Sequence, residues 1–472
     1  MIATAVAPLA FLLVTPHSPA LFAQESCLTT SYHGQFGHDS VFLVSDDCLA
    51  WAGDFLEGGS VVPLEDMQGQ QLVWLEHKAV DESLVGSSLD EITQFIAGLQ
   101  HATPDAVIVS GAQQQEVLTN ERPARLALSR LPSDVVLAVP SSLAHTIDAH
   151  LPRFWKATPI PSAPVSYVPV PADARARVRE LLASIAFDPV VASVVGNISV
   201  PVMQADVRYL TGEDPKSGLV SRHSFSQGAL DAADWLKEQF ESTGATCELK
   251  PFLDGFAPNV ICAYEATEDT SETLLLSAHY DSRGSFGSTR APGGDDDGSG
   301  TTALLAIART IARKGITFRK NVQLCAFAGE EQGLLGSKAY AREMREKDAD
   351  LTLMIQADML AYHAAGEPPQ LGLPKYIGTA EVAELVSNLS AIYSPELMVG
   401  FTAACCSDHQ SFHEQGFPAT QVFERAGPIA DPMYHNSGDL SDRPGYDFEQ
   451  LRSIAKVQFA TLLHAAGFDL PE

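Results

Sequence analysis

The stretch Thr273–Ser282, TLLLSAHYDS, opens the part of the chain that decides its fold. Thr273–Ala278 reads as a buried strand, and the run ends on His279 and Asp281. A turn at 293–300, GGDDDGSG, leads into a helix predicted over Ser299–Lys314 and stopped by Gly315. The next strand, Val322–Ala328, ends beside Glu330 and Glu331. The alternation continues through helix Leu335–Glu346, strand Leu353–Ala357 ending at Asp358, helix Ala380–Tyr393, strand Ala419–Phe423 and helix Asp447–Ala466. Upstream lie strand-like runs at Cys247–Pro251 and Asn259–Tyr264 and amphipathic helices at Ala174–Ile185 and Gly228–Ser242. This alternation predicts a three-layer α/β/α sandwich with a central, mostly parallel (mixed) sheet and a site at the strand carboxyl ends.

The residues delivered to that edge are acids and histidines: His279, Asp281, Asp295-Asp296-Asp297, Glu330, Glu331, Asp358 and, later, His435 in MYHNSGD. They suit a pair of divalent cations. Two zinc ions a few ångström apart repel, and a carboxylate bridging them with both oxygens offsets the repulsion. Each ion then takes a neutral imidazole and a further carboxylate, the N/O set zinc favours. Aspartate has a stem short enough to bridge from a tight turn, and 293–300 offers three candidates between glycines. His279 and Asp281, two apart on an extended strand, project to the same side, so Asp281 can support the ring. Glu330 and Glu331 are adjacent and point apart, so one can bind metal while the other faces the water; Glu330 is assigned as general base and Glu331 as ligand.

In this order HxD, DDDGSG, FAGEEQGLLGS, Asp358 and His435 resemble the leucyl aminopeptidase family of co-catalytic di-zinc exopeptidases, which includes secreted bacterial and fungal members. The likeness extends to CSDHQSF, GFPATQVFE and SRHSFSQGALDAADWLKEQ and covers Arg175 to the C-terminus. It implies His279, Asp296 and Asp358 on one zinc and Asp296, Glu331 and His435 on the other. It also implies a cis peptide between Asp296 and Asp297, with Asp297 behind the ligands, and a first-subsite wall of Met359, Cys406, Phe423 and Tyr434. No ligand is implied at His409 or His413, and His363 is expected at the rim. The activity implied is aminopeptidase action on peptides or proteins with a free N-terminus, favouring large apolar residues such as leucine. A carboxypeptidase or dipeptidase of related fold is the alternative; a glutaminyl-cyclase-like transferase has DSA where this chain has DDDGSG.

Before the linker-like stretch Ala157–Pro171, with its five prolines, the region 24–156 is read as a small α/β domain. Strands are expected at Gln71–Glu76, Ala106–Ser110 and Asp134–Val139 and helices at Leu89–Leu99 and Ser142–His150. It carries no catalytic motif and is expected to be a propeptide or accessory domain, with the peptidase domain over 172–472. Residues 1–23 contain an apolar stretch too short to span a bilayer, followed by small residues, the pattern of a cleaved secretory signal. Sequons at Asn197 and Asn388 fit an extracellular protein, and in an oxidising compartment Cys247 and Cys262, on successive strands, should bridge. Cys325 reads as a core thiol. The net charge of −29 argues against nucleic-acid or anionic membrane partners. A monomer is expected.

Overall fold

The computed structural model describes residues 10–22, 26–52, 59–64, 69–85, 88–101, 125–130, 134–285, 288–404 and 406–471. The chain divides into two compact units, 1–78 with 87–169 and 79–86 with 170–472.

The second unit is built on a six-stranded sheet. Its order is Ala419–Val422, Leu351–Ala357, Thr273–His279, Asn321–Phe327, Asn259–Tyr264, Thr246–Lys250. The first four strands are mutually parallel and Asn259–Tyr264 runs antiparallel to both its neighbours, so the sheet is mixed and mostly parallel, as expected. The period of two along each strand sorts side chains between two apolar layers. Leu274, Leu276, Ala278, Leu324, Leu353 and Ile355 join the core under helices Gln227–Glu241, Gly298–Lys314 and Phe448–Ala466. Leu275, Cys325, Phe327 and Met354 face the opposite way, against Tyr340, Ala341 and Met344 of helix Leu335–Glu346. Runs buried on both faces carry no polar alternation, which is why they read as continuous apolar stretches. A separate parallel pair, Gln370–Pro374 with Met398–Thr402, and helices Pro189–Val195 and Val200–Leu210 were not anticipated.

Cys247 and Cys262 are cross-strand partners in the antiparallel pair, with Cα atoms 4.1 Å apart, and are joined by a disulfide. Cys27 and Cys48 form a second one, and Cys325 is a buried free thiol. Asn388 is exposed on helix Ala380–Tyr393, whereas Asn197 donates Nδ2 to the Ser193 carbonyl at 2.7 Å. Among the described residues no single helix is long and apolar enough to cross a membrane.

The first unit holds two four-stranded antiparallel sheets. One runs Tyr32–Phe36, Asp39–Val44, Ala10–Pro16, Ser60–Leu64; the other Arg125–Arg130, Asp134–Pro140, Gln70–His77, Trp155–Pro159. Leu12, Val14 and Val41 of one share a core with Leu72, Trp74 and Val136 of the other. Three observations bear on the expected boundaries here. Ala10–Pro16, within the supposed signal peptide, is an inner strand paired on both sides with Leu12, Leu13 and Val14 buried, so cleavage near residue 23 would remove the middle of a sheet. The start of the supposed linker is ordered structure: Trp155–Pro159 is a strand, and Ile160 N donates to Leu72 O at 2.8 Å. Residues 79–86 go with the second unit, where Ala79 O accepts from Ile429 N at 2.8 Å. The expected strand at Ala106–Ser110 lies outside the described residues, and Ser142–His150 forms two short helical turns rather than one helix.

Candidate active site

The carboxyl ends of the parallel strands converge as the alternation requires. His279 is the last residue of its strand, Glu330 and Glu331 occupy the turn after Asn321–Phe327, and Asp358 follows Leu351–Ala357. Asp296 and Asp297 sit at the start of helix Gly298–Lys314, joined by a cis peptide. His435 comes from the loop before the last long helix and holds a left-handed φ of 51°.

Two three-residue groups result, each with its ligand atoms mutually close enough to hold an ion: His279, Asp296, Asp358 and Asp296, Glu331, His435. They share Asp296, whose Oδ1 lies 3.3 Å from His279 Nε2 and whose Oδ2 lies 3.3 Å from His435 Nε2. Glu331 Oε2 is 3.1 Å from His435 Nε2, and Asp358 Oδ1 is 3.8 Å from His279 Nε2. Glu330 Oε2 stands 3.9 Å from the same His279 nitrogen and belongs to neither group.

The surroundings fit cations. His279 Nε2 and both carboxylate oxygens of Glu331 are buried without a hydrogen-bond partner, a cost of a few kcal/mol unless something else coordinates them. Burial and the neighbouring Asp358 and Asp296 carboxylates hold Asp297 well above its ordinary range, against the favourable pull of His279. Burial also tends to raise Asp296, but its contacts with His279 and His435 leave it far below the usual carboxylate range. Burial alone would lower His279; Glu330, Asp281, Asp296 and Asp358 more than reverse this and hold its pKa well up. Negative charge so concentrated and so dry calls for positive charge from elsewhere.

The supports are denser than the motifs suggested. Asp297 caps its helix through Gly300 N at 2.9 Å and also accepts from His279 N at 3.1 Å and Met359 N at 3.2 Å, tying three elements together. A Cβ at Gly300 would fall 2.5 Å from Asp297 Oδ1, so only glycine fits there. Asp281 does more than steady an imidazole. Its carboxylate accepts from Ser224 Oγ at 2.9 Å and from the amides of Glu330 and Glu331 at 3.3 Å each, while the His279 ring meets its carbonyl oxygen at 3.2 Å. Glu330 and Glu331 are thus set by a turn clamped on Asp281 rather than by an extended strand. Asp439 accepts from the amides of Asp295 and Asp296. The buried Arg222 donates to the carbonyls of Tyr280, Leu210, Pro292 and Gly293 and fastens the 293–300 turn from beneath. Ser224 and Arg222 lie in the SRHSFSQ segment, whose sequence carried no ligand pattern to reveal their roles.

Of the expected pocket wall, Tyr434 stacks on His435 with ring centroids 3.8 Å apart, and Met359 follows Asp358 in a left-handed conformation. Phe423 is buried, and Glu424 N donates to Met359 O at 2.9 Å, which keeps the two segments adjacent. Cys406 is half-buried and disulfide-bonded. His409 Nε2 meets Ile377 O at 3.1 Å and His413 Nδ1 meets Thr379 Oγ1 at 3.3 Å, while His363 is held by Asp447 at 2.8 Å. None of these three belongs to either ligand group.

Fold and donor set together define an α/β/α sandwich with an acidic cluster at its strand ends whose donors could hold cations. Residues 259–461 match the model of Peptidase family M28. The chain is 28% identical over 283 residues to a probable leucine aminopeptidase of Arthroderma otae, spanning 57% of this chain and 73% of that protein. It is 27% identical over 278 residues to leucine aminopeptidase 1 of Metarhizium robertsii, spanning 54% and 68%. The LapA aminopeptidase of Legionella pneumophila shares the fold with a TM-score of 0.57 at 17% identity, over 85% of this chain and 99% of that one. Over 259–461 the chain is thus similar to Peptidase family M28, and over more than half its length to leucine aminopeptidases.

Proposed function

We propose that the protein is an extracellular di-zinc aminopeptidase that hydrolyses the N-terminal peptide bond of peptides and prefers large apolar N-terminal residues. The observation that carries this reading is the pair of ligand groups sharing Asp296, with Glu330 beside them but in neither. Two ions held there by His279, Asp296 and Asp358 and by Asp296, Glu331 and His435 would polarise the scissile carbonyl and make a bound water acidic near neutral pH.

The protein's own groups do the rest. Glu330, buried and fixed through its amide to Asp281, takes the proton from the attacking water and returns it to the leaving amine. Asp358 has the most exposed side chain of the ligands, at 13%, so the substrate enters on its side and its cationic amino terminus meets this carboxylate there. Tyr434, buried against His435, and Phe423 and Met359 give the N-terminal side chain an apolar surface. A missing methylene in such a pocket costs roughly 1–3 kcal/mol, so alanine substrates should be slower and acidic ones poor. The Cys27–Cys48 and Cys247–Cys262 disulfides favour an oxidising, extracellular compartment.

The test compares leucine arylamide, N-acetyl-leucine arylamide and glutamate arylamide as substrates of the purified chain, with and without chelator. Only the free leucine substrate should turn over well, and only without chelator. Cleavage of acetylated peptides from the carboxyl end would establish the carboxypeptidase alternative instead, and equal rates on glutamate and leucine would remove the apolar pocket.

A further inference from the structure

The two ligand groups match in donor types, yet the far nitrogens of their imidazoles face opposite charges. His279 Nδ1 lies 3.2 Å from the Asp281 carbonyl oxygen and 3.5 Å from its carboxylate. His435 Nδ1 lies 3.0 Å from Arg283 Nη1, with both side chains buried. A guanidinium offers five N–H groups and no acceptor, so His435 Nδ1 must accept, and a neutral ring then carries its proton on Nε2. That atom is 3.3 Å from Asp296 Oδ2 and 3.1 Å from Glu331 Oε2, so its proton occupies the position an ion shared with these carboxylates would need. An ion on Nε2 requires the other tautomer, which turns an N–H against the guanidinium in a site with little water. His279 meets no such conflict, because its Nδ1–H donates to Asp281 and leaves Nε2 bare.

Neither partner can easily swing away. Ser285 N donates to Ser437 Oγ at 3.2 Å and Ser437 N to Ser285 Oγ at 3.0 Å, which laces the segment after Arg283 to the one after His435. The His435 ring is stacked on Tyr434. We propose that Arg283 is a positioning residue that makes the two metal positions unequal: the Asp296, Glu331, His435 position binds its ion more weakly, and that ion is the exchangeable one. This rests on the two-metal reading above.

Zinc titration of the metal-free full chain against a competing chelator, with ions counted by elemental analysis, tests it. Two binding steps are expected, separated by about 10–100-fold, the range that one partner behind a metal ligand commands. His435→Asn should remove the weaker step and His279→Asn the tighter. Arg283→Gln should tighten the weaker step by about tenfold, drawing the two together. If Arg283→Gln fails to fold, the two histidine variants still decide which position is weak. Two steps of equal affinity, loss of the tighter step in His435→Asn, or an unchanged separation in folded Arg283→Gln would each overturn the proposal while leaving the two-metal reading intact. A single ion per chain would sink both.

Discussion

Glu330 and Glu331 are chemically identical neighbours whose fates separate because one turn points them to different places. Glu331 Oε2 is 3.1 Å from His435 Nε2, whereas Glu330 belongs to neither ligand group. Glu330→Gln is therefore expected to bind metal normally and lose about 10²–10⁴-fold in turnover, the usual contribution of a general base. Glu331→Ala should instead lose an ion. Metal content and kcat measured on the same preparations check both; near-normal turnover in a fully loaded Glu330→Gln would reverse the assignment. Asp281 shows why the split was only partly legible. Its spacing from His279 announced a support for the ring, but its grip on both glutamate amides and on Ser224 joins residues up to 57 apart.

At the scale of elements, the loop that brings in His435 and Asp439 is anchored from a distance. Glu213 accepts from Ser441 N at 2.9 Å, Ser441 Oγ at 2.7 Å and Asp442 N at 2.9 Å, and from Thr211 Oγ1 at 2.7 Å. Burial tends to raise its pKa, but these hydrogen bonds outweigh it and leave it below the ordinary glutamate value. A carboxylate depressed in the folded state stabilises above its unfolded pKa, and that stabilisation is lost as pH falls through the folded value. Glu213→Gln should thus cost about 1–3 kcal/mol at neutral pH, and the gap to the native chain should close below about pH 4. Thermal unfolding of both proteins from pH 7 down to pH 3 measures it; a gap that widens on acidification would contradict the anchoring role. Apolar runs and helix bounds were readable here: Asn259–Tyr264, Leu335–Glu346 and Ala380–Tyr393 end where the sequence places them.

Two expectations belong to the whole molecule. The first concerns metal. A chain with a net charge of −29 and a dry cluster of carboxylates should be stabilised by its ions beyond their role in chemistry. Chelation should lower the unfolding temperature and zinc restore it, with about 2.7 kcal/mol of stabilisation at a hundredfold excess over Kd. An unfolding temperature indifferent to chelator would mean that the carboxylates are neutralised some other way. The second concerns processing of the first unit, which we propose is removable. Residues 155–160 are hydrogen-bonded within that unit, while Ser162, Ala163 and Pro164 are exposed, so limited proteolysis should cut within 161–171 and not before. N-terminal sequencing of the fragments locates the cut, and a stable, active product starting inside 155–160 would contradict this boundary.

The sequence by itself determined the six-stranded sheet of the second unit. Its central strands are apolar because they are buried on both faces, His279, Glu330, Glu331 and Asp358 close or follow strand ends, and both properties are local enough to read in order. It also placed Cys247 and Cys262 on adjacent strands, which the register pairs directly. Only the tertiary structure decided the rest. The seven-residue apolar run AFLLVTP does not name its partners, which the structure supplies as Val41 for Val14 and Val62 for Leu12. Likewise Arg222, Ser224, Arg283 and Asp439 carry no ligand spacing; their roles come from charge and hydrogen bonding across long sequence separations, and burial is what makes those contacts strong.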